Sequence, residues 1–71
     1  FVVFPNPAMD EFVVRWATNK EVRIYTAYGR LQFTGRANET ISTKAWDEGI
    51  YWIQLESESA VKTISKLVVL H

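Results

Sequence analysis

The sequence predicts an all-β fold, a small immunoglobulin-like antiparallel β-sandwich of about seven strands. Three observations carry this expectation. Short runs with apolar residues at alternate positions recur at roughly 8–12-residue spacing, as strands with one face on a core require. Clusters of Pro, Gly, Asn and Asp separate the runs. No window holds a sustained apolar repeat at i, i+3 and i+4 with helix caps.

The first run, Phe1 to Phe4, is stopped by Pro5-Asn6-Pro7, whose prolines lack the donor a central ladder needs. Glu11 to Ala17 follows, with Phe12, Val14 and Trp16 on one face and Val13 and Arg15 on the other. Thr18-Asn19-Lys20 reads as a hairpin loop. Glu21 to Ala27 places Val22 and Ile24 opposite Arg23 and Tyr25. Tyr28-Gly29-Arg30 breaks that run, with Gly29 suited to a positive φ. Leu31 to Thr34 resumes, Gly35-Arg36-Ala37-Asn38 reads as a loop, and Thr40 to Thr43 is a weak strand around Ile41. Asp47-Glu48-Gly49 is the clearest turn. Ile50 to Glu56 is the strongest strand, with Tyr51, Ile53 and Leu55 on one face and Ile50 and Trp52 on the other. Ser57-Glu58-Ser59 turns the chain into a long last run, Val61 to Leu70. Neither face of that run is cleanly apolar, so a bulge or a change of neighbours is expected there.

Seventy-one residues allow a single domain, spanning 1–71. A chain this short buries only about 60% of its unfolded surface, which leaves little room for an enclosed active site. Eight Lys and Arg balance eight Asp and Glu, so no basic excess favours nucleic acid. The longest apolar runs, Phe1–Phe4 and Leu67–Leu70, fall far short of the about 20 residues a spanning helix needs. With no cysteine, disulfides and thiolate zinc sites are excluded. The chain opens on Phe1, and is therefore expected to be a piece of a longer polypeptide.

No catalytic constellation is found, and neither a cofactor nor a metal is expected. His71 is the sole histidine and the last residue, where chains fray. Asp10-Glu11 and Asp47-Glu48 read as solvated turns. Gly29, Gly35 and Gly49 are too far apart to cradle a phosphate. Asn38-Glu39-Thr40 matches a glycosylation acceptor pattern that short sequences meet by chance. Trp16 and Tyr51 fall on core faces. Trp46 and Trp52 are open between partial burial and an exposed pair that stacks on a pyranose with Tyr28, or meets a partner.

Four blocks carry a resemblance. Val3-Phe4-Pro5-Asn6-Pro7-Ala8-Met9-Asp10-Glu11-Phe12-Val13-Val14 opens with a β-run, Pro-Asn-Pro, a small residue and an Asp before the next strand. Val22-Arg23-Ile24-Tyr25-Thr26-Ala27-Tyr28-Gly29-Arg30-Leu31 has an apolar-x-apolar-Tyr stretch leading to Gly-Arg. Gly49-Ile50-Tyr51-Trp52-Ile53-Gln54-Leu55 is a Gly-apolar-Tyr strand. Thr63-Ile64-Ser65-Lys66-Leu67-Val68-Val69 is a closing strand with Lys. Together and in this order they resemble the C-terminal sorting domain of the type IX (Por) secretion system of Bacteroidetes-type secreted proteins. Two departures stand out. Thr26 occupies the position where that family usually has Asp, which puts the turn bonds of that Asp in question. Trp46-Asp47-Glu48 precedes Gly49 where Leu-x-Ala or Leu-Pro-Ala is more usual, with Trp46 the candidate replacement for Leu in the core.

The resemblance implies a non-catalytic secretion signal at the end of a larger Gram-negative secreted protein. It would carry an N-terminal passenger through the periplasm and across the outer membrane to the cell surface or medium. The implied partners are the translocon, its outer-membrane shuttle protein and a sortase that usually cuts upstream of the domain. The motif positions are Pro5, Asn6, Pro7, Tyr25, Gly29, Arg30, Gly49, Tyr51, Lys66, Leu67 and Val69. Arg30 and Lys66 read either as edge protection or as positions the export machinery recognises. Backbone pairing by the last strand, with Lys66 setting register, is the expected mode of recognition. The alternative is a carbohydrate-binding or accessory module of an extracellular enzyme. Unpaired edges also make a homodimer a candidate assembly.

Overall fold

A computed structural model describes residues 1–56 and 62–71. The turn expected at Ser57-Glu58-Ser59 and the start of the last run at Val61 lie outside the described residues. Seven strands form: β1 (Val2–Phe4), β2 (Glu11–Arg15), β3 (Glu21–Thr26), β4 (Leu31–Arg36), β5 (Thr40–Ser42), β6 (Gly49–Glu56) and β7 (Lys62–Val69). They make a three-stranded sheet, β1-β2-β5, and a four-stranded sheet, β4-β3-β6-β7. Every pairing within the two sheets is antiparallel. With the strands lettered A to G, the sheets read A-B-E and D-C-F-G, the immunoglobulin arrangement with the fourth strand moved to the opposite sheet.

Alternation explains which side chains fill the space between the sheets. Phe12 and Val14 from β2, Val22 and Ile24 from β3, and Ile53 and Leu55 from β6 are all buried, as are Leu67 and Val69 from β7. Each is separated from its neighbour by one residue that points away. Ala8, Ala37, Ile41, Trp46 and Tyr51 complete this core.

Four local expectations are corrected. Thr18-Asn19-Lys20 is no hairpin loop: both edges of β2 are already taken by β1 and β5, so the chain crosses to the other sheet. Gly35 and Arg36 belong to β4, paired with Val22 and Glu21, and do not lie in a loop. Trp16 does not continue the core face of β2. That strand ends at Arg15, and Trp16 lies at the rim, 37% exposed, edge-on to Phe1 at 6.3 Å. Finally, β7 carries no bulge, and its register with β6 runs unbroken from Gly49↔Val69 to Glu56↔Lys62. Its mixed faces have another cause. Burial changes along the strand: inward-facing Thr63 is exposed while Leu67 and Val69 on the same face are sealed. The irregularity lies between β3 and β4 at Ile24/Tyr25, where the register shifts.

Asn38 holds the rim at Trp16, with φ at +67°. Its Oδ1 accepts from the Trp16 N–H at 3.2 Å, and its Nδ2 donates to the Trp16 carbonyl at 3.0 Å and to Asn19 Oδ1 at 3.1 Å. The amide thus acts as one residue of a neighbouring strand, extending the ladder beyond Arg15. Asn38→Ala removes these bonds and places a Cβ residue with no amide at positive φ, for an expected loss of about 1–2 kcal/mol. Asn38→Gly should recover only the backbone part. Urea midpoints of the three proteins measure this, and equal midpoints for wild type and Asn38→Ala would refute it.

Candidate functional site

The four sequence blocks meet in pairs. The first and last join along the outer edge of β7. Pro5-Asn6-Pro7 is exposed, and the Phe4–Pro5 and Asn6–Pro7 peptide bonds are cis. Asn6 Nδ2 donates to the Lys66 carbonyl at 2.9 Å, and its Oδ1 accepts from the Val68 N–H at 3.0 Å. Two residues on, the Ala8 N–H donates to the Val68 carbonyl at 2.7 Å and its carbonyl accepts from the Leu70 N–H at 2.9 Å. Ala8 forms a parallel bridge with Val69. One side-chain amide and one backbone unit therefore occupy the C-terminal half of an edge that would otherwise be open. This bears on the expected backbone pairing of the last strand: from the Lys66 carbonyl onward, that edge is already taken within the chain.

The second and third blocks meet at one end of the four-stranded sheet. The β3–β4 hairpin closes through Gly29 N–H to Thr26 carbonyl at 2.9 Å and Thr26 N–H to Arg30 carbonyl at 2.8 Å. Gly29 takes φ +84°, a conformation open to glycine and costly for a residue with a Cβ. The Thr26 hydroxyl oxygen accepts from the Tyr28 N–H at 3.3 Å and the Arg30 N–H at 3.2 Å. Thr26 therefore makes turn bonds of the kind an Asp at this position would make, which answers the first departure. Across from it, Gly49 opens β6 at φ +148°.

Tyr51 is 5% exposed, and its hydroxyl donates to the Asp47 carbonyl at 2.6 Å. A tyrosine near the start of the sixth strand, bonding backbone a few residues upstream, is the tyrosine corner of immunoglobulin-like sandwiches. Burial, and then the Asp47 carboxylate, push this hydroxyl above the ordinary tyrosine range. Trp46 packs beside it, with ring centroids 5.1 Å from Tyr51, 5.9 Å from Phe33 and 6.0 Å from Phe12. Trp46 thus fills the core, which answers the second departure. Its burial also removes the exposed tryptophan pair on which sugar stacking rested. Trp52, paired with Tyr25 and Lys66, stands on the opposite, outer face of the sheet.

Between the hairpin and the Asp47–Tyr51 turn lies an open groove of about 770 Å³, lined by Thr26, Tyr28, Arg30, Asp47, Glu48 and Ile50, among others. His71 makes two contacts at this end. Its N–H donates to Glu48 Oε1 at 2.6 Å, and its ring Nε2 lies 2.6 Å from the Trp46 carbonyl. Because a carbonyl only accepts, Nε2 carries a proton. Among the described residues, no group of three or more His, Cys, Asp or Glu is placed to hold a metal ion.

The motif residues divide by what they touch. Asn6, Gly29, Gly49, Tyr51, Leu67 and Val69 hold strands, turns or core in place. Pro5, Pro7, Arg30 and Lys66 are exposed, and Tyr25 is half-buried on the outer face. Sequence reasoning missed the bonds that Asn6, Thr26 and Asn38 make. Spacing gives no sign of an amide's partner some sixty residues away.

A family model described as "Secretion system C-terminal sorting domain" matches residues 2–70, nearly the whole chain. No curated protein and no solved structure matches. The seven-strand sandwich, the four blocks in order and this match agree: the chain belongs to the family of type IX secretion C-terminal sorting domains.

Proposed function

We infer that this sandwich is the export address of a larger protein, read in its folded state. Membership of the family makes it a type IX sorting signal for secretion across the outer membrane, attached to an N-terminal passenger. The folded reading is supported above all by one arrangement. Asn6 of the first motif block bonds Lys66 and Val68 of the last, across 60 and 62 residues of chain. The blocks become one surface only once the sheets have formed. In this reading the passenger crosses the periplasm, the translocon and its shuttle protein bind the folded tag, and a sortase removes it. The tag itself performs no chemistry. Arg30 and Lys66, exposed at the two places where blocks meet, are the cations best placed for such contacts.

Asn6→Ala tests this. It frees the Lys66 carbonyl and the Val68 N–H, at an expected cost of about 1–3 kcal/mol. Residues 1–71 fused to a periplasmic reporter in a type IX-competent bacterium should be exported. The Asn6→Ala fusion should be exported less, in step with its folded fraction, and recover at lower temperature. Full export from a tag shown to be unfolded would overturn the reading. So would export that survives deletion of residues 50–71.

A further inference from the structure

We propose that the uncapped half of the β7 edge, Lys62 to Lys66, is a strand-addition site for an extended partner segment of the pattern acidic-x-apolar-x-acidic. Backbone direction alternates along a strand. The outward groups of β7 therefore belong to the even-numbered residues, as the bonds at Lys66, Val68 and Leu70 establish. Asn6 and Ala8 satisfy these groups from the Lys66 carbonyl onward. Among the described residues nothing bonds the Lys66 N–H or the outward N–H and C=O of Ile64. Ile64 is also 61% exposed, the third residue of an eight-residue strand. An unpaired edge with a β-branched residue at its centre is a template for another strand.

The flanking charges select the occupant. The even-numbered residues share the outer face, so Lys62, Ile64 and Lys66 stand two apart on it, all exposed. A partner strand in register sets one side chain beside each. Acidic residues at the two ends and an apolar residue at the centre complement them, and this pattern fits equally well in either chain direction. A second copy of this chain is a poorer occupant. Antiparallel self-pairing centred on Ile64 places Lys62 of each copy opposite Lys66 of the other, and like charges directly opposed destabilise a ladder.

This proposal deepens the sorting role by naming the kind of segment β7 pairs with, and it is tested without export, so its failure and that of the folded-tag reading are distinguishable. The probe is a capped peptide, Thr-Glu-Thr-Val-Thr-Glu-Thr, added to the 71-residue protein and followed by amide NMR and hydrogen exchange. Binding should slow exchange at the Ile64 and Lys66 amides and weaken with salt. The same peptide with Lys for both Glu should bind about tenfold more weakly, because two opposite-charge pairs become like-charge pairs. Lys62→Glu with Lys66→Glu should invert that preference. Ile64→Pro removes an outward donor that β6 does not use, so the fold is kept while binding is lost. Equal binding of both peptides overturns the proposal. So does binding that maps to the Tyr28–Asp47 groove, a preference unchanged by the double reversal, or self-association through β7.

Discussion

Trp46→Ala is expected to lower the stability of this domain by about 3–5 kcal/mol, the cost of deleting a buried aromatic side chain. The indole is 8% exposed and meets Phe12 of β2, Phe33 of β4 and Tyr51 of β6, so it touches both sheets. No other described side chain has so many ring contacts. Its backbone carbonyl also receives the His71 ring, and its N–H donates to the Thr43 carbonyl at 3.0 Å. Small domains are stable by only about 5–15 kcal/mol in total. One substitution therefore removes a large share of what holds the fold, and the guanidinium midpoint followed by far-UV circular dichroism should fall accordingly. Trp46→Leu keeps part of the volume and should cost less than Ala. A sugar-stacking role makes the opposite prediction: an unchanged midpoint with loss of carbohydrate binding. That outcome would overturn the assignment of Trp46 to the core.

The same residue illustrates which features the sequence could disclose. Alternation places Phe12, Val14, Ile24, Ile53 and Leu55 correctly because these strands have one face on the core and the other in water. It misplaces Trp16 because a strand's end is set by its partners, and the ladder beyond Arg15 is continued by the Asn38 side chain rather than by backbone. Thr18-Asn19-Lys20 has the composition of either a hairpin loop or a crossing. Only the occupancy of both edges of β2 decides between them. Trp46 lies in a loop where no period applies, so the residues alone leave it open between partial burial and exposure, and the family pattern that puts Leu there makes it a core candidate. Asn6 and Asn38 both read as turn formers, since asparagine favours turns. Their amides in fact replace one unit of a missing neighbour strand, one at β7 and one at the end of β2. Both substitutions are long-range, and local propensity carries no information about them. Gly29 and Gly49 were legible for the converse reason, because the need for positive φ is local.

Leu67→Ala should cost about 2–5 kcal/mol and lower export in step with the folded fraction. Leu67 is fully buried on the inner face of β7 and pairs with Tyr51 across to β6. Its two sequence neighbours, Lys66 and Val68, are the residues whose backbone Asn6 bonds. Deleting the leucine side chain loosens β7 from the core at the place where its outer edge is tied to the first motif block. The effects of Leu67→Ala and Asn6→Ala should therefore fail to add, with a coupling of about 0.5–3 kcal/mol. Lys66→Ala is the control beside it. That side chain is exposed on the outer face, and its removal should change stability by no more than about 0.5 kcal/mol. Two adjacent motif residues thus separate the two demands on the strand. Loss of export with Lys66→Ala at an unchanged denaturation midpoint would identify a contact made with the machinery, whereas loss with Leu67→Ala should track the folded fraction alone. A Leu67→Ala protein as stable as wild type would show that β7 is not anchored through its inner face, and the folded-tag reading would lose its structural basis.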